Sequence, residues 1–384
     1  MQPADFSERS NRALVKTPQD YWAFVPGPLP PALDLSWDLV VLNSRADRAL
    51  SELAGVTRTL PNPHLLIGPF ARREAVLSSR IEGTNASLSD LFYFEASHEI
   101  ENRMPDVREV RNYVRALEHG LRRQSELPIC MRLIREMHGV LMEGVRGETQ
   151  DPGQFRRTQN WIGSPGCTLM EATYVPPPVA EMAECLSALE KFIHARPNLP
   201  LLVRLALVHY QFEAIHPFLD GNGRIGRLLI TLLLCAENAI PGPVLYLSAF
   251  FERYRDEYYQ RLLDVSRRGR WTEWIMYFLR AVETQSRKAI SKSRRLLELQ
   301  ERYRAAVQTA RSSALTSRLV DLLFISPIIS APWLAATLSI TPRAAQQNID
   351  KLIQAGILTE ITGRRRNRMY AAQEILATME RAED

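Results

Sequence analysis

The sequence predicts an all-α fold: a helical bundle with one small β-hairpin flap, followed by a small C-terminal domain of helices and a hairpin. Two observations carry this expectation. Between about Ala71 and Met276, apolar residues recur at i, i+3, i+4 and i+7 through RREAVLSSRIEG, EVRNYVRALEHGLRR, MRLIREMHGVLMEGV, VAEMAECLSALEKFIHA and PLLVRLALVHYQFEAI, the period of helices with one buried face. One stretch of that region breaks the period: residues 158–178, TQNWIGSPGCTLMEATYVPPP, where glycines, prolines and β-formers gather into a hairpin or flap.

Composition bounds the rest. A chain of 384 residues holds two or three domains at roughly 150 residues each. At 46% hydrophobic and 24% charged it has the profile of a soluble globular protein. Cys130, Cys167, Cys185 and Cys235 form no C-x-x-C pair, which argues against a zinc site or disulfide scaffold and fits a reducing, cytoplasmic setting. The N-terminus lacks the basic-then-apolar order of a signal peptide. The longest apolar run, Leu228 to Ala236, is under half of the roughly 20 residues a membrane span requires. No membrane partner is expected.

In chain order, residues 1–110 form an N-terminal helical region, Pro-rich at PGPLPPALDL and LPNPHLLIGPF. Residues 111–275 form the central core and contain the flap. Residues 276–312 belong to a linking helix that starts at Trp271, runs to about Arg311 and carries a basic stripe. From Ser286 to Arg304 there are seven basic residues against two acids, equal to the whole chain's net charge of +5. Such a stripe is ordinarily a solvated face, with nucleic-acid contact as the alternative. Residues 313–384 read as helix (SRLVDLLF), helix (PWLAATL), turn (SIT) and a third helix opened by Pro342 and ended by Gly356. Two strand-like pieces, ILTEIT and NRMYAA, follow, joined by Gly363-Arg364-Arg365-Arg366. That order is a winged helix-turn-helix.

The chemistry concentrates in His216–Arg227, HPFLDGNGRIGR. Pro217 disfavours helical backbone at His216, so the preceding apolar helix stops there. Glycines 221, 223 and 226 let backbone N–H groups converge at the start of the next apolar helix, whose orphan donors and dipole make an anion site. Arg224 and Arg227, three apart, can face the same anion. Asp220 is a hard oxygen ligand suited to Mg²⁺ beside phosphates, and His216 is suited to general-base work. Together these make a phosphoryl- or nucleotidyl-transfer site. GNGRIG also matches the dinucleotide-binding G-x-G-x-x-G, but that loop requires a preceding strand, and here the preceding period is helical. A plain glycine-rich loop with a capping Asp is the remaining alternative.

HPFLDGNGRIGR matches H-x-F-x-[DE]-G-N-G-R-x-x-R at every specified position, and on this motif the chain resembles the Fic (filamentation-induced-by-cAMP) family. The resemblance implies an all-helical enzyme, a protein adenylyltransferase moving AMP from ATP to a Ser, Thr or Tyr hydroxyl of a target or of itself, with Mg²⁺ as cofactor. His216 would be the base and Asp220 the metal ligand. Gly221, Asn222 and Gly223 would form the anion hole, and Arg224 and Arg227 would hold the β- and γ-phosphates. Ile225 and Gly226 complete the ATP-binding stretch, with Phe218 as its structural anchor. Residues 78–83, SSRIEG, fit the family's inhibitory pattern [ST]-x-x-x-E-[GN]. The resemblance is thus to class II members with a C-terminal winged helix, in which Ser78, Glu82 and Gly83 belong to the inhibitory motif and Glu82 pairs with Arg227 at the γ-phosphate position. The flap resembles the family's target-docking hairpin, with Asn160, Ile162 and Tyr174 as docking candidates, and Tyr258 is the candidate contact for the base. Relatives of this class are often homodimers.

Other readings stand beside this one. The Fic domain could sense nucleotide for a transcription regulator that binds DNA through Arg364, Arg365, Arg366 and Arg368 in the wing and Arg343, Gln346, Gln347 and Asp350 on the third helix. The same fold could remove AMP or transfer another nucleotide.

Overall fold

In the computed structural model, residues 1–34, 36–60, 62–97, 105–195, 197–308 and 314–381 are described. They form sixteen α-helices and five short strands. The N-terminal region contains α1 (Glu8–Asn11), the strand pair β1 (Leu14–Lys16) and β2 (Trp22–Phe24), and α2 (Trp37–Arg58), α3 (His64–Ile81) and α4 (Leu88–Ala96). The core follows with α5 (Pro105–Arg123), α6 (Met131–Leu141), α7 (Val179–Ala195), α8 (Leu201–Ile215) and α9 (Asn222–Ala236), then α10 (Ser248–Arg253) and α11 (Arg255–Arg268). α12 (Trp271–Val307) links to the last domain, which contains α13 (Ala314–Ile325), β3 (Ile328–Ser330), α14 (Ala331–Leu338), α15 (Pro342–Gln354), β4 (Thr359–Glu360), β5 (Met369–Ala371) and α16 (Gln373–Glu380).

α8 is apolar all round, and that places it at the centre. Leu202, Val203, Leu205, Ala206, Leu207 and Val208 are all buried, and α7, α9 and α12 pack around the helix. Trp274 of α12, fully buried, donates its indole N–H to the Ala206 carbonyl at 2.9 Å. α2 lies along α12 on the outer side. Helix starts follow their caps: Ser36 accepts from Leu39 N–H, Ser87 and Asp90 form a capping box at α4, and Thr341 with Pro342 opens α15.

The linking helix begins at Trp271 as expected and ends at Val307. Residues 309–313, where its end was expected, lie outside the described residues. Its basic stripe is largely solvated, with Arg287, Arg294, Arg295, Arg302 and Arg304 exposed, but it also carries ion pairs. Arg294 pairs with Glu52 at 3.4 Å, Arg304 with Asp321 at 2.7 Å, and Arg302 with Glu374. Buried Lys292 donates to the carbonyls of Met379 and Arg381, and Lys288 and Arg295 are engaged as well. These pairs bridge α12 to α2 and the C-terminal domain at the surface, and Lys292 is their buried counterpart.

That domain is a winged helix-turn-helix with sheet order β3-β5-β4, antiparallel throughout. It does not stand apart. α13 packs on α3, β3 on α4 and α16 on α12. Ser330 Oγ donates to the Ala96 carbonyl, and both the N–H and Oγ of Ser89, at the start of α4, donate to Glu380.

The flap departs from expectation. Instead of a regular hairpin it has one antiparallel bridge, Ile162 to Tyr174, closed by N–H bonds of 2.8 and 3.0 Å. Pro176 has no N–H to bond Asn160, and Pro177 and Pro178 follow it, so the ladder cannot extend away from the turn; toward it, the Ala172 N–H goes to Leu169 O instead. Among the described residues, no helix is long and apolar enough to cross a membrane.

Candidate active site

Helix α8 ends as the Pro217 argument requires. His216 is its C-cap in the left-handed region (φ 49°, ψ 61°), with its N–H on the Phe212 carbonyl. Asn222 then closes the loop on itself: its Oδ1 accepts from Phe218 N–H and its Nδ2 donates to the Phe218 carbonyl, both at 2.8 Å. Phe218 is wholly buried and stacks on His138 with ring centres 3.8 Å apart. Asn222 therefore holds the loop with its side chain, and only its backbone faces the anion site. Gly221, at φ 78°, is the N-cap of α9. Ile225 is buried in the core, and the Gly226 carbonyl accepts from His209. These two support α9 instead of lining a ligand surface.

His216 Nδ1–H donates to the Glu213 carbonyl at 3.3 Å, which leaves the Nε2 lone pair as the basic one. Burial lowers its pKa to about 4; Arg156 adds to the fall, while Glu82 and Asp220 oppose it. The imidazole is therefore neutral, and able to take a proton, across the physiological range. Asp220 Oδ1 accepts from Gly221 N–H at 2.6 Å and lies 3.6 Å from Arg224 Nη2. Its side chain is 39% exposed, so it keeps an outward oxygen for a ligand.

The two arginines are held by separate carboxylates. Arg224 Nη1 donates to Glu109 of α5 at 3.1 Å. Arg227 donates through Nε to Ser78 Oγ at 2.8 Å, and through Nη2 to the Ser78 carbonyl at 3.0 Å and to Glu82 at 2.6 Å. Ser78 lies one turn before Glu82 on α3, and Gly83, at φ 97°, turns the chain away. Burial opposes ionisation of Glu82, but Arg227 outweighs it and holds the carboxyl below its ordinary pKa. The Glu82 carboxylate also lies directly over Gly223, where a Cβ would collide with it. It thus occupies the position at the start of α9 where an anion would bind. Glu213 sits nearby with its Oε1 buried and unpaired, its pKa pushed up to about 8 by burial.

Three further sequence assignments are corrected. Tyr258 is 1% exposed: its hydroxyl donates to His209 Nε2 at 2.8 Å and its ring stacks on Phe251, so no face is left for a base. Its neighbour Tyr259 is 41% exposed. Tyr174 is also core, its hydroxyl on the Ala214 carbonyl at 2.8 Å. Asn160 faces inward, donating to the carbonyls of His216 at 3.2 Å and Phe218 at 2.8 Å. Of the docking candidates only Ile162 is exposed, beside Trp161 and Met170.

Sequence reasoning passed over Glu109, His138 and Arg156. His138 braces the loop: its Nδ1 accepts from Gly153 N–H at 2.8 Å and its Nε2–H donates to the Asp220 carbonyl at 3.0 Å. The signal available was a polar residue within the apolar stripe of a helix, Glu109 among Val107, Val110 and Val114, and His138 beside Met137 and Leu141. Among the described residues, no group of three or more His, Cys, Asp or Glu could hold a metal ion. A divalent cation here would be held by Asp220 together with ligand phosphates and water.

Residues 40–122 match the Fic/DOC family N-terminal domain, 128–234 the Fic/DOC family domain and 316–371 an HTH DNA binding domain. The chain is a Fic/DOC-family protein with an appended helix-turn-helix domain. It is 33% identical over 112 residues to a protein named "Protein adenylyltransferase Fic" from Drosophila grimshawi, a match covering 29% of this chain and 21% of that protein. The Drosophila melanogaster protein of that name is 31% identical over the same length. The chain thus spans about a fifth of the length of these relatives. In fold it is similar to a Fic family protein from Desulfovibrio desulfuricans (TM-score 0.58, 18% identity, 89% of this chain and 98% of that one). Fic-1 (aa134–508) from C. elegans is also similar (TM-score 0.52, 20% identity, 67% and 74%).

Proposed function

We propose that the chain is a protein adenylyltransferase, a nucleotidyltransferase that uses ATP with Mg²⁺ and is restrained by its own Glu82. The observation that carries this reading is the Glu82 carboxylate on Arg227 and over Gly223, an internal anion where the proposal puts the terminal phosphate. The start of α9 would cradle the triphosphate, with the N–H groups of Gly221, Asn222 and Gly223 as donors. Arg224 and Arg227 would hold its β- and γ-phosphates, and Asp220 would hold the Mg²⁺ that neutralises developing charge. His216 Nε2 takes the proton of the target's hydroxyl as that oxygen bonds to the α-phosphorus. The bond from the α-phosphorus to the bridging oxygen breaks, and pyrophosphate leaves. Exposed Ile162, Trp161 and Met170 on the flap suit docking of the target segment. AMP removal, or transfer of another nucleotide, would use the same parts.

Intact-mass measurement of wild type and Glu82→Gly after incubation with ATP and Mg²⁺ tests this. The expected result is a gain of one AMP on the variant that disappears when His216→Ala is added. No gain, with nucleotide binding intact, would overturn the reading.

A second activity has its own support. Docking engages α13, β3 and α16, whereas α15 packs chiefly on α14. Arg343, Gln347 and Asp350 on α15 and Arg364, Arg365, Arg366 and Arg368 in the wing are exposed. That face suits duplex DNA, and retention that weakens with salt would support it.

A further inference from the structure

Arg156 is 1% exposed, and its partners are carbonyls, not a carboxylate: Nε donates to His216 O at 3.0 Å, Nη1 to Thr158 O at 3.3 Å and Nη2 to Pro177 O. Its own backbone N–H donates to Pro217 O at 2.9 Å. A buried guanidinium without a counter-ion is costly, and burial pulls its pKa down to about 10. The carbonyls it gathers come from three places: the residue bearing the base and the two feet of the flap. We propose that Arg156 is the positioning residue for transfer, tying the flap that docks the target to the backbone that aims His216. The inference rests on the transferase reading above.

The physical case has two parts. His216 holds a left-handed backbone at φ 49°, a conformation unfavourable for a residue with a Cβ. Its carbonyl is caught from two sides, by Arg156 and by Asn160. Losing the Arg156 grip frees that carbonyl to rotate, and the imidazole moves with it. The Arg156 charge also depresses the imidazole's pKa, against Glu82 and Asp220, which raise it.

The test uses the full chain in a Glu82→Gly background and compares Arg156→Met and Arg156→Lys with the parent. For Arg156→Met, kcat for AMP transfer falls about 100-fold, the scale of a misplaced reacting group. KM for ATP and the ATP affinity measured by calorimetry stay within about twofold. The acidic limb of the rate–pH profile moves up by about one unit as the neighbouring cation is lost. Arg156→Lys keeps the charge and reaches the His216 carbonyl, so it recovers part of the rate and keeps the parent's limb. Unchanged kcat and limb in a folded Arg156→Met overturn the proposal. So does parallel loss of rate and ATP affinity with no recovery in Arg156→Lys, which marks a purely structural residue. If Arg156→Met does not fold, Arg156→Lys decides, through a lowered kcat at unchanged ATP affinity. Should the Glu82→Gly parent transfer nothing, the transferase reading fails instead. An NMR titration of His216 then still reads Arg156: an imidazole pKa that stays put in Arg156→Met refutes its influence on the base.

Discussion

Replacing Glu82 with glycine should release the site, and the size of the release follows from the hydrogen bond it removes. Arg227 Nη2 and the Glu82 carboxylate are 2.6 Å apart, with the arginine side chain 1% exposed and the glutamate 31% exposed. A hydrogen bond between charged groups in such a setting is worth about 1.5–3 kcal/mol. A terminal phosphate must displace that bond before Arg227 can hold it, so its removal favours the aligned nucleotide about 10- to 150-fold. The assay is the initial rate of AMP incorporation, read by intact mass with ATP and Mg²⁺ in excess. Glu82→Gln keeps the shape and loses the charge, and its rate should fall between wild type and Glu82→Gly. The sign with pH is set by the lowered Glu82 pKa. The pairing is complete above the ordinary glutamate value of 4.5 and fails only as pH falls through the depressed one, so wild type stays restrained between pH 6 and 8. A folded Glu82→Gly that transfers AMP at the wild-type rate would refute the argument.

Other outcomes follow from the same geometry. With the His216 pKa lowered to about 4, transfer should hold steady from neutral pH to about 5 and fall below that; an acidic limb near 6.5 would contradict the buried base. His216→Ala should bind ATP and transfer nothing, a split that calorimetry and mass spectrometry read separately. Tyr258→Phe leaves His209 Nε2 without its donor and should cost about 1–3 kcal/mol in urea unfolding while ATP affinity holds; lost affinity at unchanged stability would restore Tyr258 to the base pocket. Replacing Arg364, Arg365 and Arg366 with alanine should weaken retention on duplex DNA, and each phosphate no longer neutralised should flatten the log–log salt dependence by about 0.9. Unchanged retention would remove the wing from the DNA reading.

The sequence foretold most where structure is local. Pro217 after an apolar helix placed the stop at His216, and the glycines placed the start of α9; that His216 takes left-handed backbone there was not foretold. Pro342 marked the start of α15 correctly. What escaped it is set by direction and distance. Tyr174 and Tyr258 belong to stretches rightly linked to the flap and the helix after the motif, but residue type does not say which way an aromatic ring points. Both point inward, where their hydroxyls find a carbonyl and an imidazole. Arg156 was invisible because its partners are main-chain carbonyls, which carry no residue identity. The pair β1–β2 and helix α16 were missed for a different reason: three-residue strands and an eight-residue helix are too short for a period to show. The basic stripe on α12 is solvated as its composition suggested, but charge composition could not show that Arg302 and Arg304 also pair with Glu374 and Asp321 or that Lys292 is buried.

Ser78 on α3 and Glu82 at its C-cap hold one guanidinium from the same end of the helix. Ser78 seats Arg227 through two hydrogen bonds; Glu82 takes one more, which in the proposed function is the block. The brake therefore cannot be discarded by shedding the segment that carries it, because a chain trimmed before α4 would lose the seat along with the block. In the proposed function, release would then come from movement of the Glu82 side chain at the end of α3, with the rest of the helix left in place. A switch built this way would suit graded control: small shifts of Glu82 would tune how often Arg227 is free, without taking its seat apart.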